Sequence, residues 1–170
     1  APAGELDLPA LPASAAGPDL RELVVGSEGI LGVITQAALR IRPVPQERRY
    51  EAWMLPSFAD GADALRTLVQ HEVRPEIARV SDEPETEMSL ALAGVRGAKG
   101  AVLGRYLGAR GVSGGAFLLL GFEGEPDDVH RRRKATVQVV KAHRGVSLGT
   151  GPGQAWAAGR FHAPYLRDEL

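Results

Sequence analysis

Residues 116–149 read AFLLLGFEGEPDDVHRRRKATVQVVKAHRGVSLG and contain the pattern that decides the fold. The stretch begins with a nearly continuous apolar run, which is short enough to be a strand buried on both faces. Pro126 and the acidic residues around it then predict the start of a long helix that ends near His143. We expect Gly145 to end this helix as the residue after its cap, and residues 146–148 to form a brief strand.

The preceding part of the chain repeats this order. Residues 48–55 predict a strand, and Ser57 predicts the cap of a helix, with Asp60 three positions later. Residues 76–80 predict a second short strand. The buried stripe of the helix between them is expected on Phe58, Ala62, Leu65 and Val69.

An insertion separates the two repeats. A helix is expected from Pro84 to Ala93, and the glycine-rich residues 94–115 predict an irregular connection with one short helix. Residues 47–149 therefore read as strand–helix–strand, insertion, strand–helix–strand. Two split halves of this kind predict an α+β fold, a ferredoxin-like antiparallel sheet with helices on one face. Prolines at residues 43–45 predict a domain boundary near residue 45, hence domains over residues 1–45 and 46–170.

Composition excludes several function classes. The chain has 170 residues, 44% hydrophobic content and a formal net charge of −1, so it has no electrostatic footprint for nucleic acid or for an anionic membrane. It has no cysteine, which excludes disulfides and sulfur-based zinc sites, and no apolar run long enough to span a bilayer. We expect a cytoplasmic protein without a nucleic-acid partner, and a homodimer stays open. The ends suggest a fragment of a longer polypeptide.

Residues 24–35 read VVGSEGILGVIT, with three glycines spaced three positions apart. This spacing is neither the dinucleotide fingerprint nor a P-loop. Residues 33–42 alternate in a period of two, which predicts a strand where either phosphate motif needs a helix. From the residues alone, a tight packing turn is favoured over a ligand site.

Candidate chemistry outside this stretch is sparse. The four histidines show no zinc-site spacing, and we expect no metal site and no catalytic residue. Arg79 and Arg167 are better candidates, because a guanidinium on a rigid element can hold a carboxylate or phosphate through two hydrogen bonds. An ion pair of Arg79 with Asp82, or of Arg167 with a neighbour, is the simpler interpretation. Trp156, Arg160 and Phe161 form a denser cluster, which could be the stacked lining of a pocket or an amphipathic core contact.

A resemblance adds to these observations. Residues 17–35, followed by residues 39–45, strongly resemble the FAD-linked oxidases of the vanillyl-alcohol oxidase type, which have a PCMH-type FAD-binding domain. Within that family the chain looks most like the bacterial flavoproteins related to alkyldihydroxyacetonephosphate synthase. D-lactate dehydrogenase and glycolate oxidase subunits are more distant relatives. Residues 79–82 and 164–168 extend the resemblance almost to the end of the chain.

The resemblance implies domain roles and site residues. Residues 1–45 would be the C-terminal part of the FAD-binding domain, and residues 46–170 a substrate-binding cap domain, truncated at its C-terminus. Arg79 and Arg167 would hold a small anionic substrate. The positions implied to contact FAD through backbone groups are Glu28, Gly29, Ile30, Leu31, Gly32, Val33 and Ile34.

The resemblance also implies an activity for the full-length parent, an FAD-dependent oxidoreductase. In lactate- and glycolate-type members, flavin N5 accepts hydride from a 2-hydroxy acid. In synthase-like members, flavin-adduct chemistry exchanges an acyl chain for an alkyl chain. The chain alone is expected to be inactive and to bind no FAD tightly. The alternative is a stand-alone ferredoxin-like module that binds a small regulatory molecule; an RNA-binding sheet would need exposed aromatic residues that are missing here.

Overall fold

The computed structural model describes residues 4–11, 15–95 and 97–161. The chain divides into two compact units, residues 1–43 and residues 44–170. The division falls beside the prolines of residues 43–45, which cannot donate hydrogen bonds to a sheet. Among the helices of the described part, none has the length and apolar character needed to cross a membrane.

The first unit contains the short helix α1 (Leu20–Val24), capped by the side chain of Asp19. The prediction of a strand over residues 33–42 is wrong: within the described residues this segment pairs with no strand, and Val33 and Ile41 are exposed. Alternation determines which side chains share a face. A strand also needs a neighbour to complete its hydrogen bonds, and the described part of this unit provides none.

The second unit confirms the predicted α+β fold. Within its described residues, four strands form one antiparallel sheet in the order β2-β3-β1-β4, which is the ferredoxin-like order. The strands are β1 (Glu47–Leu55), β2 (Ile77–Ser81), β3 (Ala116–Gly124) and β4 (Val146–Gly149). The helices are α2 (Phe58–Gln70), α3 (Glu83–Leu92), α4 (Gly97–Gly108), α5 (Pro126–Ala142) and α6 (Gly151–Gly159).

One face of the sheet, called the Trp53 face, packs against α2 and α5 as predicted. Trp53 of β1 pairs with Leu118 of β3, so the two side chains lie on this face together. They form the main core with Phe122 and with residues of both helices, and Phe122 is fully buried. Burying a side chain of this size contributes about 1.5–3 kcal/mol, so this layer stabilises the second unit.

The buried stripe of α2 differs from the prediction. Phe58 and Val69 are 45% and 66% exposed, whereas Gly61, Ala64 and Leu68 are buried. A Cβ atom at Gly61 would lie 2.5 Å from Cγ2 of Val80, so the helix approaches the sheet through its smallest residues. Close packing of backbone on sheet, rather than the largest apolar side chains, sets the orientation of this helix.

The end of α5 also differs. Arg144, with φ of 62°, is the left-handed residue, and Gly145 is not. The N–H of Gly145 donates to the carbonyl of Val140 at 2.9 Å, and that of Arg144 to Lys141 at 3.0 Å, which together form a Schellman motif. Glycine is needed at position 145 because a Cβ there would lie 2.4 Å from Cγ1 of Val140.

The opposite face, called the Tyr50 face, is covered by the insertion and by α6. Met54 and Val146 pack there against Leu107 of α4 and against Val112. The sequence predicted one short helix in the glycine-rich part of the insertion, whereas the structure has a helix of 12 residues there, α4. Burial of its leucines outweighs the low helix propensity of its glycines, so composition alone underestimated it.

Candidate functional site

The glycine stretch of the first unit is a chain of turns. Ser27 donates its N–H to the carbonyl of Val24 at 3.2 Å, and Ile30 donates to Ser27 at 3.0 Å. Glu28 and Gly29 both have positive φ, at 51° and 88°. This confirms a turn but not the strand that was expected to follow it.

The same stretch has the chemistry to contact a flat cofactor. Ile30 and Val33 are 88% and 83% exposed, and within the described residues the N–H groups of Leu31 and Val33 have no hydrogen-bond partner. Exposed aliphatic groups next to free backbone donors suit a ring system with an apolar face and a polar edge. Residues 28–34 therefore fit FAD as a ligand, as the resemblance implies, and their role in FAD binding stays a prediction.

Arg79 lies on β2, an edge strand of the sheet in the second unit. Its position pairs with Leu119, and Leu119 pairs with Ala52, so Arg79 belongs to the Tyr50 face. Its guanidinium forms an ion pair with Glu85 of α3 and not with Asp82. Asp82 instead caps α3 through the N–H of Glu85 at 2.8 Å. The other predicted substrate residue, Arg167, lies outside the described residues.

A second group on the Tyr50 face is called the Tyr50 cluster. The sequence pointed to three of its members as a cluster, but not to Tyr50 or Glu123. Its members are Tyr50, Glu123, Trp156, Arg160 and Phe161. The Tyr50 hydroxyl donates to the Glu123 carboxylate, and its ring centroid lies 6.3 Å from that of Trp156. The guanidinium carbon of Arg160 lies 5.4 Å from the Trp156 ring centroid and 4.7 Å from that of Phe161, within cation–π range.

Two polar groups of this cluster have unusual surroundings. Burial, and then the hydrogen bond to Glu123, raise the pKa of the Tyr50 hydroxyl above its ordinary value. Nε of Arg160 is buried and has no hydrogen-bond partner in the described part of the chain. Trp156 contacts Tyr50 but is only partly buried, so both interpretations of its cluster stay open.

Gly121 is the signal that could have revealed this cluster. It interrupts the apolar run of β3 and pairs with Tyr50. A Cβ there would lie 2.9 Å from Cδ1 of Tyr50 and 3.0 Å from Cβ of Ile77. An isolated glycine in a buried strand marks a close approach of another group, here the tyrosine ring.

Residues 44–169 match the family "FAD linked oxidases, C-terminal domain". The chain belongs to this family. Membership confirms the resemblance, and it implies FAD as the cofactor of the full-length parent. It also agrees with the ferredoxin-like sheet of the second unit.

Several relatives resemble nearly the whole chain. Alkyldihydroxyacetonephosphate synthase of Dictyostelium discoideum is 33% identical over 99% of this chain and 29% of its own length. The Trypanosoma brucei brucei protein of that name is 32% identical over 98% of this chain and 28% of its own length. A solved structure of an alkyldihydroxyacetonephosphate synthase has a TM-score of 0.70 and 34% identity, and the match covers 99% of this chain and 31% of that one. The chain thus spans about three tenths of the length of these relatives.

Another relative resembles a smaller part of this chain. The mitochondrial D-lactate dehydrogenase [cytochrome] of Arabidopsis thaliana is 37% identical over 41% of this chain and 12% of its own length. The two kinds of relative correspond to the two chemistries that the resemblance left open.

Proposed function

We propose that this chain works within an FAD-dependent enzyme of the alkyldihydroxyacetonephosphate synthase type. Such an enzyme replaces the acyl chain of an acyl-dihydroxyacetone phosphate, an anionic phosphate ester, with an alkyl chain. The observation that carries the proposal is the extent of the similarity, 33% identity over 99% of the chain. That extent includes the Tyr50 face and Arg79, so the likeness is not limited to the cofactor-binding stretch.

Residues 28–34 are assigned to the cofactor in this proposal. FAD, when bound, supplies the electron-accepting ring system, and the protein supplies its binding and orientation. The support is the exposure of Ile30 and Val33 and the free N–H groups of Leu31 and Val33 among the described residues. These groups offer hydrogen bonds to polar ring atoms and apolar contact to a ring face.

Arg79 and Arg167 are assigned to the substrate anion. Arg79 is supported by its place on a strand and by its exposure, since half of its side chain is accessible. A planar guanidinium holds a phosphate or carboxylate with paired hydrogen bonds, which an ammonium group cannot reproduce. The assignment of Arg167 rests on the resemblance of residues 164–168. A homodimer and a cytoplasmic location stay predictions from the sequence.

A second candidate is the oxidation of a 2-hydroxy acid. The 37% identity to the Arabidopsis D-lactate dehydrogenase favours it, although it covers only 41% of the chain. A 2-hydroxy acid also carries an anionic group that Arg79 could hold. The match of residues 44–169 to the flavoprotein family favours both candidates over the stand-alone regulatory module.

One assay separates the candidates. The full-length enzyme containing this chain would be purified with FAD and supplied with palmitoyl-dihydroxyacetone phosphate and radiolabelled hexadecanol. A parallel reaction would contain D-lactate or glycolate and a dye that accepts electrons. We expect labelled ether product and no bleaching of the dye. Dye bleaching by a 2-hydroxy acid without ether product would overturn the proposal in favour of the second candidate.

A further inference from the structure

The first turn of α3 is fixed to its surroundings at three points. The side chain of Asp82 accepts the N–H of Glu85 at 2.8 Å. The buried hydroxyl of Thr86 accepts the N–H of Phe117 on β3 at 3.0 Å. Glu83 accepts the N–H of Phe58, at the start of α2, at 2.8 Å. These contacts set the position of the Glu85 backbone relative to strands β2 and β3.

The Glu85 carboxylate contacts a single nitrogen of the Arg79 guanidinium. Nη2 of Arg79 donates to Oε1 of Glu85, and the other N–H groups of this guanidinium have no partner within the described residues. The two side chains are 53% and 37% exposed, so the ion pair contributes little to stability. It nevertheless fixes one edge of a guanidinium whose remaining donors stay free.

We infer that Glu85 is a positioning residue, which holds the Arg79 guanidinium in the orientation that receives the substrate anion. The inference rests on the proposed function, since it takes Arg79 as the anion-binding residue. An arginine on an edge strand has many rotamers, and ordering it upon binding lowers affinity. Glu85 orders the side chain before the substrate arrives, because its own backbone is held by Asp82 and Thr86.

Two variants of the full-length enzyme separate positioning from charge. Glu85→Ala and Glu85→Gln both remove the negative charge beside Arg79, but Gln keeps an acceptor oxygen at the same reach. We expect the KM for palmitoyl-dihydroxyacetone phosphate to be about fivefold higher in Glu85→Ala than in Glu85→Gln, with kcat within about twofold. Both variants should keep their FAD content and their melting temperature to within about 2 °C.

Equal KM values in the two variants would overturn the inference, because the carboxylate would then act only through its charge. A parent-like KM in Glu85→Ala would overturn it as well. Arg79→Lys, measured in parallel, tests the underlying assignment separately. If that variant keeps the parent KM, Arg79 does not bind the substrate and this part of the proposed function fails, whatever the Glu85 variants show.

Discussion

Single glycines mark the places where another group comes too close for a side chain. A Cβ at Gly153 would lie 2.6 Å from the backbone of Tyr50 and Glu51, which lets α6 run against β1. Gly121 leaves room for the Tyr50 ring above β3, and Gly61 brings α2 onto Val80. Gly121 and Gly153 therefore let Tyr50 lie in contact with Trp156 and help to shape the Tyr50 cluster, whereas Gly61 acts on the opposite face of the sheet.

The hydroxyl of Tyr50 should contribute to stability in a pH-dependent way. Replacing Tyr50 with Phe removes its hydrogen bond to Glu123, and we expect a loss of about 1 kcal/mol in the free energy of unfolding at pH 7. Burial and this hydrogen bond raise the pKa of Tyr50 in the folded state. The contribution should therefore be complete below about pH 10, the pKa of the unfolded chain, and disappear as pH rises through the folded-state pKa.

Urea unfolding of the parent chain and of Tyr50→Phe between pH 7 and pH 11 measures this effect. Tyr106→Phe is the matched control, because the hydroxyl of Tyr106 donates to the carbonyl of Ser147, which carries no charge. A stability difference for Tyr50→Phe that grows with pH would contradict the account.

Glu72 should be replaceable by glycine with a gain in stability. Its φ is 57°, a conformation in which a Cβ is strained, and it follows the cap of α2 in a Schellman motif. We expect Glu72→Gly to raise the free energy of unfolding by about 0.5–1 kcal/mol, after the entropy gained by the unfolded chain is subtracted. Glu72→Ala keeps the strain and should give no such gain in chemical denaturation; equal gains in both variants would contradict the explanation.

Helices and strands differ in how well the sequence predicts them. The strands of the described part of the second unit were predicted because each is a short stretch with apolar residues between turn signals, although only β3 is a nearly continuous apolar run. The sequence did not predict the buried face of α2 or the length of α4, because both depend on packing against the sheet. In the second unit, local sequence therefore located the strands, whereas tertiary contacts decide the orientation of the helices. In the first unit the same local pattern failed over residues 33–42, because a strand also needs a partner.

The start of α2 should respond to acid. The predicted capping pair is present, with the N–H of Asp60 donating to Ser57 Oγ at 3.1 Å and that hydroxyl donating to the Asp60 carboxylate at 2.7 Å. The hydrogen bond from Ser57, and then the one from Arg144, lower the pKa of Asp60. The contribution of the charged Asp60 carboxylate to the free energy of unfolding should be complete above about pH 4, the pKa in the unfolded chain. It should vanish as pH falls through the pKa in the folded state.

Asp60→Asn isolates this charge while keeping an acceptor oxygen. We expect the variant to be less stable than the parent chain by about 0.5 kcal/mol at pH 7, with the difference closing toward pH 2. Asp127→Asn, in the first turn of α5, is the comparison, since no ion pair holds Asp127 among the described residues. If the free energy of unfolding differed equally between the parent chain and Asp60→Asn at pH 2 and at pH 7, the charged carboxylate of Asp60 would not be the stabilising group.

For the whole molecule, the ferredoxin-like sheet could be predicted from the order of strands and helices. The candidate site could be predicted only in part. Arg79 was named as a candidate from the sequence, and its role stays a prediction. Its ion-pair partner Glu85 was not foreseen, because Asp82 is nearer in sequence and is engaged as a helix cap. Trp156, Arg160 and Phe161 of the Tyr50 cluster were grouped from the sequence, but Tyr50 and Glu123 lie far from them in the chain, so no local pattern joins the two parts.

The chain by itself should retain little FAD. In the proposed function, residues 28–34 provide only an edge of the cofactor site, and the chain spans about three tenths of the length of its synthase relatives. We expect the purified chain to show no flavin absorbance after gel filtration with excess FAD, whereas the full-length enzyme should retain it. Stoichiometric flavin in the purified chain would contradict this expectation.

The central claim is that the Tyr50 face presents Arg79 to an anionic substrate in a flavoenzyme. The most direct measurement is kcat/KM for palmitoyl-dihydroxyacetone phosphate in the full-length enzyme and its Arg79→Lys variant, together with their melting temperatures. We predict a loss of at least about tenfold in kcat/KM with melting temperatures within about 2 °C, because lysine keeps the charge but loses the paired hydrogen bonds. An unchanged kcat/KM, or a loss matched by a comparable loss of stability, would contradict the claim.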